Sequence, residues 1–499
     1  MLSWQVFAQD ITQTVRGRVT DNLTGSPLVN SAVRIDRGSE NILITRTNEG
    51  GEFTASLPVG RYKLTVSYTG YKARVEELLV IAGKESILSL PMAESLQQLQ
   101  SVEITSTPLA AETPGMRSLS IEKTLRIPAN FFDPVRDATA YPGVMATYDQ
   151  NNSIIVRGNS PNGLLWRLNG LDVINPNHQA NAGTLSDKPT ANGGGVNILS
   201  AQMLDRTDFY VGAFPADYGN ALSGIVEMKL RAGHKEQFEY TAQASLIGLD
   251  FAVEGPVGKK GRTSILANYR YSTVGILSKF GVNFGGESIN FQDLSFHLNS
   301  DLENSSVSFF GFWGSGTNKF NHKPVDEWKE DKDRYDIDYS SVNAALGMNY
   351  RAKLGAGKLS GGFAYSLANQ DRNAVSSFEI TPAEVHLLSD VFSQNNGLLS
   401  GKLGYELPLA QQLVLEGGVM ANAVDNSVES TRYIGCYSCS FLQMRRYDGA
   451  TDGFLLQPFA NLRMWLSRII SLNAGIRYLY FTFNDTYSAE PRLSANIAL

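Results

Sequence analysis

Of 499 residues only 2 are cysteines, Cys436 and Cys439, so the chain is neither a disulfide-dense scaffold nor the holder of a tetrahedral four-thiolate zinc site. The formal net charge is −6, and no run of Lys or Arg matches what neutralises a phosphate backbone, which excludes nucleic acid as a partner. No window reaches the roughly eighteen apolar residues of a spanning helix, so any membrane role must use strands. The five histidines, His178, His234, His297, His322 and His386, are scattered. No H-E-x-x-H, G-x-S-x-G or phosphate-loop motif accompanies them, so the chain reads as a non-enzyme with no catalytic residue, metal site or cofactor. Carboxylates concentrate in "HKPVDEWKEDKDRYDID", His322 to Asp338, but Lys and Arg interleave with them, the pattern of a solvated loop.

What is plentiful is Gly (46), Phe (24) and Tyr (21), the composition of a turn-rich β protein. Residues 1–9, ending in "FAQ", resemble the tail of a secretory signal peptide without its basic region. An exported chain meets an oxidising compartment, where the C-x-x-C of Cys436 and Cys439 reads as a local disulfide. Residues 15–92 hold short β-prone runs ("VRGRVTD", "AVRID", "GEFTASL", "RYKLTVSY") between Gly, Asn and Pro turns, which predicts a small β-sandwich. Its phrase "TNEGGEFTASLPVGRYKLTVSYTGY" resembles the carboxypeptidase regulatory-like domain; no metal-ligand cluster accompanies it, so the likeness implies no peptidase activity. A polar linker follows over 93–115, with one β-prone island, Val102, Glu103, Ile104, Thr105 and Ser106. That island either adds itself as a strand to a partner's sheet edge or opens the next domain.

Residues 116–233 mix short helical patterns with strands, including "VNILSAQMLDRTDFYVG", read as a helix leading into a strand. The stretch "IIVRGNSPNGLLWRLNGLDVINPNH" and the later "DFYVGAFPADYGNALSGIVEMKLRAG" resemble, in order and spacing, the plug domain of TonB-dependent outer-membrane receptors. That resemblance implies an α+β plug inside a transmembrane antiparallel barrel, location in the outer membrane, and energy from the inner-membrane TonB–ExbB–ExbD complex. The partner would dock on Val102–Ser106. The imported ligand stays open among iron chelate, oligosaccharide, peptide and cobalamin, with a surface lipoprotein as a further partner. The resemblance also directs "NPNH" toward the ligand, which assigns contact to Asn175, Asn177 and His178. As residues alone, the same Asn side chains serve equally to hold a turn. Arg157 and Gly158 read as residues that fix the plug within a polar lumen.

From 236 to 499 the polarity alternates with period two. Val342, Ala344, Leu346, Met348 and Tyr350 share one face, and Asn343, Gly347, Asn349 and Arg351 the other. A lipid-embedded barrel needs this alternation, but a soluble sandwich gives it too, which keeps a surface-exposed binding or adhesion protein as the alternative. Short links at 302–305, 355–357 and 467–469 alternate with expected long loops near 276–288, 319–336, 371–388 and 425–451. The count is about 11 strands where plugged transporters have about 22, so the expected fold is mostly β, with sandwich, plug and only part of a barrel. On that count the chain stops in mid-barrel.

Overall fold

The computed structural model describes residues 12–497 except 22–25, 39, 81–84, 93–114, 121–123, 125–132, 148–151, 179–191, 213, 246–247, 259–260, 274–275, 277–279, 281–286, 303, 330, 381–382, 411, 436–441 and 468–469. Its first unit is a sandwich of two sheets. Glu52–Pro58, Thr12–Asp21 and Ser86–Met92 form one; Glu40–Arg46, Ala32–Arg37, Gly60–Ser67 and Arg74–Val80 form the other. In Gly60–Ser67, Tyr62, Leu64 and Val66 point inward while Arg61 and Lys63 face solvent, the period-two consequence of a pleated strand with one buried face. Gly17 is required by packing: a Cβ there would stand 2.3 Å from the Phe53 ring.

The plug is a five-stranded sheet in the order Leu171–Val173, Leu165–Leu168, Ile225–Leu230, Leu204–Tyr210, Met116–Ser120. The first two strands form a hairpin over Asn169–Gly170, whose positive φ values of 51° and 90° are what a two-residue turn of matching twist demands. Trp166, Leu168, Phe209, Val226 and Met228 make its core, which continues into Phe310, Phe312, Ala345 and Ala364 of the surrounding sheet. The helix expected within 196–212 does not form. Val196–Asn197 is a short strand, residues 199–203 are bends and turns, and Leu204–Tyr210 is extended between two other strands. The strand expected after the helix is thus present, and pairing of Val196–Asn197 with Asn177–His178 takes up the start of the segment expected as helix.

Twelve antiparallel strands, from Glu239–Ala244 to Thr486–Ile497, form one continuous sheet, each paired with its sequence neighbour. That is one more than the alternation count. Two segments expected as long loops are strand instead: Gly357–Ile380 pairs with Ala383–Ala410, and Leu413–Gly435 with Leu442–Trp465. Strands of 24, 28, 23 and 24 residues are more than twice the roughly ten that a bilayer crossing takes. Residues 425–429 and 444–448 of the second hairpin are open on both faces, whereas Arg372, Ala374 and Ser376 of the first stay buried. The sandwich lies against the short-turn end of the sheet, with Lys358 Nζ 3.1 Å from Asp21 and Lys72 Nζ 5.1 Å above the Trp465 ring.

Truncating a fully buried residue removes transfer energy and leaves a cavity. Leu64→Ala should therefore cost about 2–5 kcal/mol and raise hydrogen exchange across the sandwich strands in the full chain, whereas Lys63→Ala should leave exchange unchanged.

Candidate functional site at the plug and barrel interface

The large sheet is built inside out relative to a soluble protein. Leu346, Phe363, Tyr365, Leu403, Phe251 and Ile476 are exposed on its outer face at 61, 55, 51, 53, 50 and 54%. Its inner face buries Asn268, Arg270, Asp293, Ser295, His297, Asn343, Ser366, Gln370, Ser400, Asn422, Gln457 and Arg477. Alternation along each strand sends one set out and the other in. Some inward groups pair within the sheet, as Asn268 with Asp250 and Gln370 with Gln394, and others find their partners on the plug.

At one wall Arg167 Nε donates to Asp172 Oδ1 at 2.7 Å, with both side chains about 1% exposed. The barrel completes this pair. Asn422 Nδ2 donates to Asp172 Oδ2 at 2.8 Å, and Ser400 Oγ accepts from the Asp172 amide at 3.2 Å. The Arg167 guanidinium also lies 4.4 Å from the centre of the Tyr218 ring. Asp217 takes an ion pair from Lys402 at 3.2 Å, and Arg492 donates to the carbonyls of Phe214, Pro215 and Tyr218.

Earlier strands of the same sheet hold the predicted ligand residues, and the structure brings all three together. Asn175, Asn177 and His178 are 2, 0 and 5% exposed. Asn175 Nδ2 donates to the Gly193 carbonyl (2.8 Å), Asn177 Nδ2 to Asn175 Oδ1 (2.5 Å), and Asn152 Nδ2 to both Asn177 Oδ1 (2.7 Å) and Asp133 Oδ2 (2.7 Å). From the barrel, Asn343 Nδ2 donates to the carbonyls of Asn175 (3.3 Å) and Asn177 (2.6 Å). His178 Nε2 stands 2.9 Å from Asp293 Oδ2. An ionised carboxylate only accepts, so that nitrogen carries the proton. Arg270 donates to the same Asp293 oxygen through Nε (3.1 Å) and Nη2 (2.8 Å), and reaches the plug carbonyl of Asn197 at 2.5 Å. The His178 ring leans on Phe291 at 4.8 Å, and Gly314 leaves it room: a Cβ there would meet His178 Cε1 at 2.8 Å. The neighbouring cavity, lined by Asp133, Asn197, Ser200, Asp250 and Arg270, measures about 20 Å³, room for one water. The arrangement seats the plug by hydrogen bonds.

Two ionisable plug groups are displaced by this setting. Burial raises the Asp133 carboxyl above its ordinary range, against the opposing hydrogen bonds of Asn152 and the Val135 amide. Burial likewise lowers the His178 imidazole below its ordinary 6.5, opposed by the Asp293 hydrogen bond and charge and assisted by Arg270.

Arg157 does not enter the lumen. It is an exposed turn residue with φ 50°, followed by Gly158 with φ 79°, and its amide bonds Gly143 O at 2.7 Å. The residues that do fix the plug from the barrel side, Arg270, Asp293, Asn343 and Ser400, went unassigned, although each lies on the polar face that alternation defines. In the carboxylate-rich stretch after His322, His322 pairs with Asp336 at 2.8 Å and Lys323 with Asp333 at 2.7 Å, and no cluster of metal-ligating side chains occurs among the described residues. Val102–Ser106, Cys436 and Cys439 lie outside the described residues.

A base whose pKa is depressed on docking binds fewer protons docked than free, so docking is favoured above about pH 6.5 and weakens as the pH falls through that value. Hydrogen exchange over residues 171–178, corrected for intrinsic pH effects, should rise on acidification from about pH 7.5 to about pH 5. His178→Gln, which keeps a donor for Asp293 and cannot titrate, should flatten that response.

Residues 14–93 match the carboxypeptidase regulatory-like domain family. No curated protein matches the chain. Among solved structures it resembles a mutant of the ferric enterobactin receptor of Pseudomonas aeruginosa (16% identity, TM-score 0.53, 79% of this chain against 62% of that one). It also resembles the siderophore receptor PirA of Acinetobacter baumannii (15%, 0.54, 78% against 59%) and the outer-membrane transporter YddB of Escherichia coli (12%, 0.54, 79% against 60%). The chain thus spans about three fifths of the length of each. The chain carries an N-terminal carboxypeptidase regulatory-like domain, and the remainder has the plug-and-barrel fold implied by its resemblance to TonB-dependent outer-membrane receptors.

Proposed function

We propose that the chain works in the outer membrane as a TonB-dependent receptor that imports a scarce ligand, and that it is not an enzyme. The observation that carries this reading is the polarity of the twelve-stranded sheet, apolar outside and polar within, around a hydrogen-bonded plug. A soluble adhesion protein with the same strands would hide Leu346, Phe363 and Tyr365 and wet Asn343 and Ser366, the reverse of what is found. Ligand class is left among iron chelate, oligosaccharide, peptide and cobalamin, with a surface lipoprotein as a further partner.

In this reading the ligand and the TonB–ExbB–ExbD complex act on one element, the plug, from opposite ends. Asn175, Asn177 and His178 would meet ligand only in a second plug arrangement, because in this one their polar atoms are turned to Asn152, Asn343 and Asp293. Import then amounts to shifting the plug between two sets of hydrogen bonds, which a ligand does only as far as it favours one set. No covalent chemistry is required.

Two outcomes test this. The chain should fractionate with the outer membrane, and Leu346→Arg should cost about 2–4 kcal/mol of barrel stability, as a cation facing lipid does. Recovery from the soluble fraction, or a Leu346→Arg variant as stable as the parent, would sink the proposal. Ile104→Pro should remove a ladder donor from the segment that meets the coupling complex and so abolish accumulation while surface binding persists; unchanged accumulation would place that contact elsewhere.

A further inference from the structure

The import reading leaves unused a second polar interface, between the sandwich and the short-turn end of the barrel. Arg18, from the sandwich strand Thr12–Asp21, and Lys235, which follows the last plug strand, both contact the carboxylate of Asp301 at the end of the barrel strand Glu287–Asp301. Three parts of the chain meet at one buried acid. Beside it, Arg16 Nη1 lies 2.5 Å from Glu239 and its Nη2 3.6 Å from Glu254. Glu254 is in turn gripped by both terminal nitrogens of Arg231, each at 2.8 Å, and accepts the His234 amide at 2.8 Å. The Ser89 hydroxyl bonds the Asp205 carboxylate of the plug, and Asn48 donates to Glu236 at 3.2 Å. Asp21 and Lys358 close the outer rim.

Among the described residues no apolar core is shared across this junction: the buried cluster of the sandwich and that of the plug and barrel are separate sets of residues. Its middle is a cavity of about 220 Å³ lined by Arg18, Ser89, Asp205, Arg206, Arg231 and Arg351 among others. The cavity wall is mixed, with Ile87, Leu88, Leu204 and Leu230 among the charged groups, so this junction is hollow rather than packed, and water can replace each ionic contact of its rim as it parts. The contacts are divided between plug and barrel, so the docked sandwich ties one to the other.

We propose that the sandwich is a removable brace that holds the plug to the barrel through the Asp301 and Arg16 clusters, so that the plug becomes free to rearrange only after the sandwich undocks. The proposal rests on the import reading, whose plug it regulates. It gives the N-terminal domain a mechanical role that needs no ligand of its own.

Hydrogen exchange of the full chain in detergent tests it, read over the plug strand Leu204–Tyr210. Arg16→Glu places a third carboxylate against Glu239 and Glu254 and should raise exchange there about ten-fold, with the barrel strand Tyr335–Leu354 still protected. Asp21→Cys with Lys358→Cys, in a background carrying Cys436→Ser and Cys439→Ser and joined by a short bis-maleimide, should return exchange to the parental rate. If Arg16→Glu releases the sandwich, shown by loss of that cross-link, while Leu204–Tyr210 exchanges as before, the brace is refuted. Should Arg16→Glu unfold the barrel, salt decides on the unaltered chain: raised ionic strength must speed plug exchange reversibly, and a flat response refutes the brace. A chain that keeps the coupling but does not reach the outer membrane would overturn the import reading alone.

Discussion

A buried polar atom left without a partner costs about 1–3 kcal/mol, and the inner face of this sheet carries many of them. Neighbouring strands satisfy some of these, as Arg270 does Asp293, but Asn343, Ser400, Asn422 and the remaining reach of Arg270 are met by plug groups. A second polar surface has to fill the lumen, and the plug supplies it. Its Asp172, Asp217, His178 and carbonyls at 175, 177, 197 and 214–218 are what the barrel side chains reach. An apolar plug would strand these groups; an empty lumen would fill with water and hold nothing in place.

Holding the plug by hydrogen bonds has a dynamic consequence. Among the described residues the buried apolar packing between plug and barrel centres on Leu266, Phe310, Phe312, Ala345 and Ala364, and much of the remaining contact is polar. Each polar contact is worth only about 0.5–1.5 kcal/mol net, because water offers a substitute as soon as the groups separate. The plug is therefore well located yet can be displaced stepwise. Gly314 fits this picture, since removing its side chain lets the His178 ring lie against the barrel wall.

The sandwich repeats the same physics at larger scale. It folds on its own apolar core of Val33, Ile35, Leu64 and Val66 and touches the rest through charge. Domains joined in this way keep their individual folds when they separate. Mobility in this protein is thus assigned to its polar interfaces and rigidity to its apolar cores.

Periodicity and turn chemistry were enough, in sequence, to place the sandwich strands and the alternating strands after residue 236, because a pleated strand writes its two faces into every second residue. Motif order in "IIVRGN" to "VEMKLRAG" likewise marked the plug. Alternation is silent about which face meets water, and the distinction between a lipid-embedded barrel and a soluble sandwich turned on that: only the curving of the sheet around the plug sent Leu346 outward and Asn343 inward. The long hairpins were missed because polar runs such as Asp371, Arg372 and Asn373 read as loop, although buried and exposed residues still alternate there. The lumen contacts were missed for a different reason. His178 and Asp293 are 115 residues apart and Asp172 and Asn422 are 250 apart, and no local pattern records pairs that exist only once the barrel has wrapped the plug.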